Sequence, residues 1–233
     1  MNRVVTIALT SLMMASAATT INAQDKAEFS IGADVVSSYV WRGVYQTGVS
    51  VQPGMEISYK GFSLGAWGST DFDLFKEVDF SLGYSTGGFS ATVTDYWWDG
   101  QFSRYGGDYD NSHRLEGTLA YTFCEVFPLT ASWSTFFLGE DEKENGDRAY
   151  STYVELAYPF SIGEIDLLAS VGAAPWTSPT WLPTDNTGFQ VANISLAAAK
   201  EIEVTEKYSI PVFIQLSLNP AMEDIQFIFG ISF

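Results

Sequence analysis

The chain has 233 residues and a formal net charge of −17, with 17% charged residues, 15% aromatic residues and one cysteine. So acidic a balance argues against nucleic acid, anionic polymers and anionic lipid headgroups as partners. The single Cys124 excludes an internal disulfide and reads as a small buried apolar residue, and after residue 23 no run of about 18 apolar residues offers a helical membrane span.

The N-terminal stretch "MNRVVTIALTSLMMASAATTINA" (1–23) joins Arg3 to a short apolar run, Val4 to Ala18, and ends on the small-residue pattern Ile21-Asn22-Ala23. That pattern predicts a secretory signal peptide removed before Gln24; the run is too short and too rich in Ser, Thr and Ala for a spanning helix. No cysteine follows it, so a lipid anchor is not expected. Residues 24–233 then form one domain.

From there a period of two takes over. Phe29, Ile31, Ala33, Val35, Tyr39 and Trp41 share one parity; Ser30, Gly32, Asp34 and Arg42 take the other. Val49, Val51, Met55, Ile57 and Tyr59 alternate with Ser50, Gln52, Glu56 and Ser58, and the same pattern returns in 62–72 and 78–84. It continues through Phe89–Trp97, Leu115–Phe123, Leu129–Phe137, Tyr150–Tyr158, Ile165–Ala173, Gly188–Ala199, Tyr208–Leu218 and Ile225–Phe233. Alternate side chains of an extended strand point to opposite faces, so these segments read as twelve strands. The segment 188–199 is the least regular, and its face assignment stays open.

Connections alternate in length. Lys60-Gly61, Ser85–Gly88, Glu125–Pro128, Pro159–Glu164 and Lys200–Lys207 are short; 43–48, 73–77, 99–112, 139–149, 174–187 and 219–224 form the other set, three of them long. An even number of strands of roughly ten residues, with short turns at one end and long loops at the other, predicts an all-β, transmembrane, antiparallel up-and-down barrel. The long loops would lie outside the cell and both chain ends toward the periplasm. The last strand must then pair with the first, leaving no open edge in the bilayer.

A secreted sandwich or lipocalin-like barrel also alternates, but its apolar face points inward. The polar face here, rich in Ser, Thr, Gly, Gln and carboxylates, is too polar for a dry core. Tyr39, Trp41, Tyr59, Phe72, Tyr84, Trp97, Trp98, Tyr121, Phe123, Tyr158 and Phe160 gather at strand ends, as interfacial girdles do.

The stretch "SSYVWRGVYQTGVSVQPGMEISYKGFSLGAWGST" (37–70) resembles the start of the TorF-like porin family of bacterial outer-membrane barrels, through Tyr39, Trp41-Arg42-Gly43, Gln46-Thr47, Pro53, Tyr59, Gly61-Phe62, Gly65 and Trp67. Glu77-Val78-Asp79, Leu82-Gly83-Tyr84 and Asp95-Tyr96 resemble its next strands, so the likeness covers residues 28–98. It implies a porin-type barrel in the outer membrane of a Gram-negative bacterium. It carries no substrate and no functional residue. The terminal Phe233 resembles the signal by which such barrels meet their assembly machinery.

Parity assigns Asp34, Arg42, Glu56, Asp71, Asp79, Arg114, Glu116, Glu155 and Asp166 to the lumen. Simple hairpin registers place Asp34 opposite Glu56 and Asp71 opposite Asp79, near the outer mouth. Facing carboxylates favour cations, so a narrow cation-preferring passage for small solutes is one reading; a hydrated wall with scattered charges is the other. Twelve strands leave a lumen between a filled one and an open one, and Trp67, Trp133 and Phe213 are expected to crowd it. Arg42 is expected to hold Asp34 or Glu56. A non-conducting barrel whose outer loops bind a partner remains the alternative.

Asp95 falls on the outward parity, by a register shift or because the strand has left the apolar belt. Enzyme chemistry is not expected. His113 is the only histidine, reads as a solvated loop-edge residue, and its neighbour Ser112 points to the opposite face. "GGDYDNS" (106–112) and "GEDEKENGD" (139–147) are acidic but lack the spacing of a Ca²⁺ loop, so no metal or other cofactor is expected.

Overall fold

The fold is taken from a computed structural model that describes residues 26–73, 75–98, 105, 112–124, 126–180, 182, 187–206 and 208–233. The expected signal peptide lies outside the described residues, as does most of the 99–112 connection. Twelve antiparallel strands close into a barrel: β1 (Glu28–Val36), β4 (Ser50–Tyr59), β5 (Phe62–Thr70), β6 (Lys76–Thr86), β7 (Phe89–Trp97), β8 (His113–Cys124), β9 (Phe127–Gly139), β10 (Thr152–Ile162), β11 (Ile165–Ala174), β12 (Gln190–Thr205), β13 (Tyr208–Asn219) and β14 (Asp224–Ser232). Each strand pairs with the next around the barrel, and β1 pairs with both β4 and β14. A separate two-stranded sheet, β2 (Tyr39–Trp41) and β3 (Val44–Thr47), belongs to the first long connection.

The alternation sets the faces. On β14, Phe227 is 63% exposed and Phe229 45%, while Ile228 between them is 4% exposed. Phe29, Ile31, Leu64, Leu82, Leu119, Leu196 and Phe227 all lie on the outside, so the outer surface is apolar and the inner one carries the polar parity. The short turns sit at one end. Lys60 and Gly61, both at positive φ (49° and 86°), make a two-residue turn of the type that matches strand twist. Closure rests on a short seam: Asp34 to Val36 pair with Ser232 to Gly230, and Ala33 exchanges backbone hydrogen bonds of 3.2 and 2.9 Å with Phe233.

Several expectations are corrected. Asp34 faces Gln52, and Glu56 faces Ser30, because β1 ends at Val36 and its connection to β4 takes residues 37–49 rather than 43–48. Asp79 faces Trp67, while Asp71 lies beyond the end of β5. Tyr39 and Trp41 are buried inside rather than placed in a girdle, and Trp97 is fully buried. Trp133 points outward, opposite the exposed Leu119 and 5.7 Å from Trp176. Cys124 is exposed at the end of β8. His113 is buried, with Nδ1 2.9 Å from Asp95. No register shift occurs where Asp95 pairs with Phe80 and Leu115, so Asp95 stays on the outward parity; it accepts a hydrogen bond from the Tyr105 hydroxyl at 2.8 Å.

Candidate functional site: a lumen crossed by the first connection

Residues 37–49 do not project away from the barrel. Ser37 stays tied to β14, its amide donating to the Phe229 carbonyl at 2.8 Å and its hydroxyl accepting from the Phe229 amide at 2.9 Å. The chain then enters the lumen as the β2–β3 hairpin. Its tip, Arg42-Gly43, has φ of 53° and 81°, the left-handed pair that a tight hairpin turn demands and that glycine accepts at least cost. A side chain at Gly43 would run into the Ala192 carbonyl, so the tip lies flat on β12, and the Asn219 side chain donates to the Gly43 carbonyl at 3.1 Å.

Both faces of β2 are buried, whereas Tyr45 on β3 is exposed. Tyr39, Trp41 and Val44 pack with Tyr96, Phe136, Tyr153, Ala174, Leu182 and Ala192, while Val40 packs with Val36, Ala197, Phe213 and Ile228. Phe213 thus fills the lumen by the seam, as expected of it. At the base of the hairpin the Thr47 hydroxyl donates to Asp71 at 2.6 Å. That bond, with the backbone amides of Asp73 and Phe75, holds the Asp71 carboxyl below its ordinary range.

At the tip, Arg42 lays both terminal nitrogens on the Glu116 carboxylate, at 2.5 and 2.8 Å. Tyr96 and Thr118 donate to the same carboxylate at 3.2 Å each, and the guanidinium lies over the rings of Trp41 (4.5 Å) and Tyr153 (4.8 Å). A two-pronged, charge-assisted pair inside a low-dielectric wall is strong only because its remaining hydrogen-bonding capacity is also met. Arg42 therefore pairs with Glu116, and neither Asp34 nor Glu56 is its partner.

The other sequence candidates scatter. Asp34 is buried at the seam, and Asp166 accepts from Ser161 at 2.7 Å near the short turns. Arg114 pairs with Glu140 at 3.0 Å, its guanidinium 4.8 Å from the Trp98 ring centre. Glu56, Asp79, Glu116 and Glu155 come together, lining with Arg42 a cavity of about 330 Å³ whose other walls include Tyr39, Trp41, Trp67, Tyr96 and Tyr153. Sequence reasoning placed Trp67 inside, as found, but missed Tyr39, Trp41, Tyr96 and Tyr153, the first two because it assigned them to the outer girdle. Tyr96 and Tyr153 share the inward parity of Thr94 and Glu155, which was the available signal. It also missed Glu77, buried on the same parity as Asp79 and one position before the strand start assigned from sequence. Among the described residues no group of three or more His, Cys, Asp or Glu is placed to hold a metal ion.

The fold and its interior define an antiparallel β-barrel with an apolar outer surface and a polar lumen crossed by its own first connection. Residues 20–185 match a family described as "Bacterial protein of unknown function (Gcw_chp)", and the chain belongs to that family. No curated protein matches. Among solved structures, the chain is similar to Pseudomonas aeruginosa OccK9 (OpdG), with 14% identity and a TM-score of 0.39 over 90% of this chain and 64% of that one. It is also similar to BamA from Haemophilus ducreyi lacking POTRA domains 1-3, with 15% identity and a TM-score of 0.36 over 83% and 41%. The chain thus spans less than two thirds of the length of either.

Proposed function

We propose that the protein is an outer-membrane, porin-like barrel of a Gram-negative bacterium, exported by a signal peptide over residues 1–23. In this reading it is a narrow, cation-preferring passage for small solutes, constricted by its own 37–49 segment. The observation that carries it is the pairing of faces: Phe29, Ile31, Leu82 and Phe227 outside, Asp79, Glu116 and Glu155 inside. A surface so apolar is stable against acyl chains, whereas in water it would aggregate. The likeness of residues 28–98 to the TorF-like porins points the same way, and the C-terminal strand ending at Phe233 is the contact for assembly machinery. No enzymatic role is part of this reading.

The inner wall sets the preference. Arg42 spends its hydrogen bonds on Glu116, and one guanidinium against Glu56, Asp79, Glu116 and Glu155 leaves the cavity lining acidic. A narrow lumen with low-dielectric walls concentrates ions opposite in charge to its lining. In planar bilayers with a salt gradient the reversal potential should lie on the cation side, and Asp79→Asn should move it toward zero. Asp71→Asn should leave it unchanged, since Asp71 serves the Thr47 contact. An anion-side potential would overturn the preference. Absence of current from protein shown to be folded and inserted would favour the second reading, a non-conducting barrel acting through its outer connections; the packed hairpin is the observation on that side.

A further inference from the structure

We infer that the cavity beneath the hairpin is a binding site for a small organic ammonium ion, an inference that rests on the cation-preferring reading of the lumen. Three observations converge. The cavity, about 330 Å³, is at the small end of sites that enclose a low-molecular-weight ligand. Its lining holds four carboxylates and one guanidinium, and that guanidinium is already committed to Glu116. Asp79, 3% exposed and lining the cavity, keeps one carboxylate oxygen without a hydrogen-bond partner among the described residues.

Glu77, two positions before Asp79 on the same parity, is 2% exposed and is met by the Tyr39 hydroxyl, the Trp98 indole and, at longer range, the Arg114 guanidinium, so it adds no cation of its own to Asp79. A carboxylate removed from water, as that of Asp79 is, is costly unless it takes up a proton or a cation joins it, and the cavity leaves room for the cation. The walls say which kind. Trp41, Trp67, Tyr39, Tyr96 and Tyr153 line the cavity, and Trp41 and Tyr153 already carry the Arg42 guanidinium over their rings. Ring faces beside carboxylates favour a weakly hydrated, carbon-clad cation. A metal ion would need several oxygen ligands converging on one point, and among the described residues no such group of acidic side chains exists. A neutral sugar could stack on the rings, yet it would leave the carboxylate charge unanswered.

The test is calorimetric titration of the full barrel, folded in detergent, with choline, with putrescine, and with dimethylbutanol, the neutral carbon isostere of choline. Binding of choline or putrescine is expected, with the isostere bound roughly tenfold more weakly or worse. Asp79→Asn and Glu56→Gln should each weaken the ammonium probe severalfold, whereas Glu164→Gln, on an exposed turn, should not. Glu56 is only half-buried, so its variant keeps the test valid if Asp79→Asn does not fold. Equal binding of the isostere, no binding of either ammonium ion, or unchanged affinity in both cavity variants overturns the site. Bilayer recordings separate this from the passage itself: ammonium binding without current keeps the site and removes the channel, and current without binding does the reverse.

Discussion

Arg42 and Glu116, 74 residues apart in sequence, meet through two hydrogen bonds of 2.5 and 2.8 Å inside the barrel. The pair joins the tip of an inward-folded hairpin to the far wall. Its strength depends on burial, because Glu116 is 1% exposed and takes further hydrogen bonds from Tyr96 and Thr118. Removing one member of such a pair leaves the other charged and dry, at a cost of roughly 3–5 kcal/mol. Glu116→Ala should therefore release the hairpin. Trypsin reports this directly, since Arg42 is itself the cleavage site: the folded variant should be cut after Arg42 and the parent resist. The double variant Arg42→Met with Glu116→Leu, which keeps volume and removes both charges, should dock again, read by chymotrypsin at Trp41 because the tryptic site is gone. Equal resistance in Glu116→Ala would mean that apolar packing alone holds the hairpin.

Gly43 should tolerate no side chain. Its φ of 81° is left-handed and a Cβ there would meet the Ala192 carbonyl, so backbone strain and a clash act together. Strain of this kind costs on the order of 1–3 kcal/mol. Gly43→Ala should loosen the hairpin without opening the barrel, giving faster tryptic cleavage after Arg42 at unchanged β-sheet circular dichroism. The exposed Gly146, also at positive φ (81°) but with nothing within 4 Å, should accept alanine more readily.

The two faces of β14 should respond oppositely to charge. Phe229 is exposed on the apolar outside, and Gln226 is on the inward parity with its amide bonded to Asp224 at 2.8 Å. Against acyl chains, an arginine near mid-strand costs roughly 2–4 kcal/mol. Phe229→Arg should impair insertion into vesicles, read from heat-modifiable gel migration, while Gln226→Arg should insert nearly as the parent does. Equal insertion of both would contradict the membrane reading.

Acid should weaken the Thr47–Asp71 contact. Hydrogen bonds from Thr47, then from the amides of Asp73 and Phe75, favour the charged carboxylate and lower its folded value. A lowered folded value means that the stabilisation is complete above the unfolded value, about 3.9 for aspartate, and fades as pH falls through the folded one. At neutral pH the parent should melt above Asp71→Asn. As pH falls through the folded value of Asp71 the two melting temperatures should converge, because both side chains are then neutral. A constant gap across that range would show that Asp71 acts by shape.

Much of the architecture was legible because it is local. Side chains of period two must point to opposite faces, so Phe227 and Phe229 against Ile228, or Leu82 against Ser81, place outside and inside without knowledge of any partner. Turn chemistry is local too, and Lys60-Gly61 marked its own corner. Tertiary structure alone decided the path of residues 37–49. Tyr39 and Trp41 continue the parity of Phe29 and Ile31, yet they lie inside, because the chain leaves β14 after Ser37 and its two faces find apolar walls around Phe136 and Phe213. That inward path lengthened the connection and shifted the register, which is why Asp34 meets Gln52 and not Glu56. The contact of Arg42 with Glu116 follows from closure, since only a completed barrel brings β8 across the lumen from the strand before the hairpin. Alternation is a property of one strand; occupancy of the space between strands belongs to all of them at once.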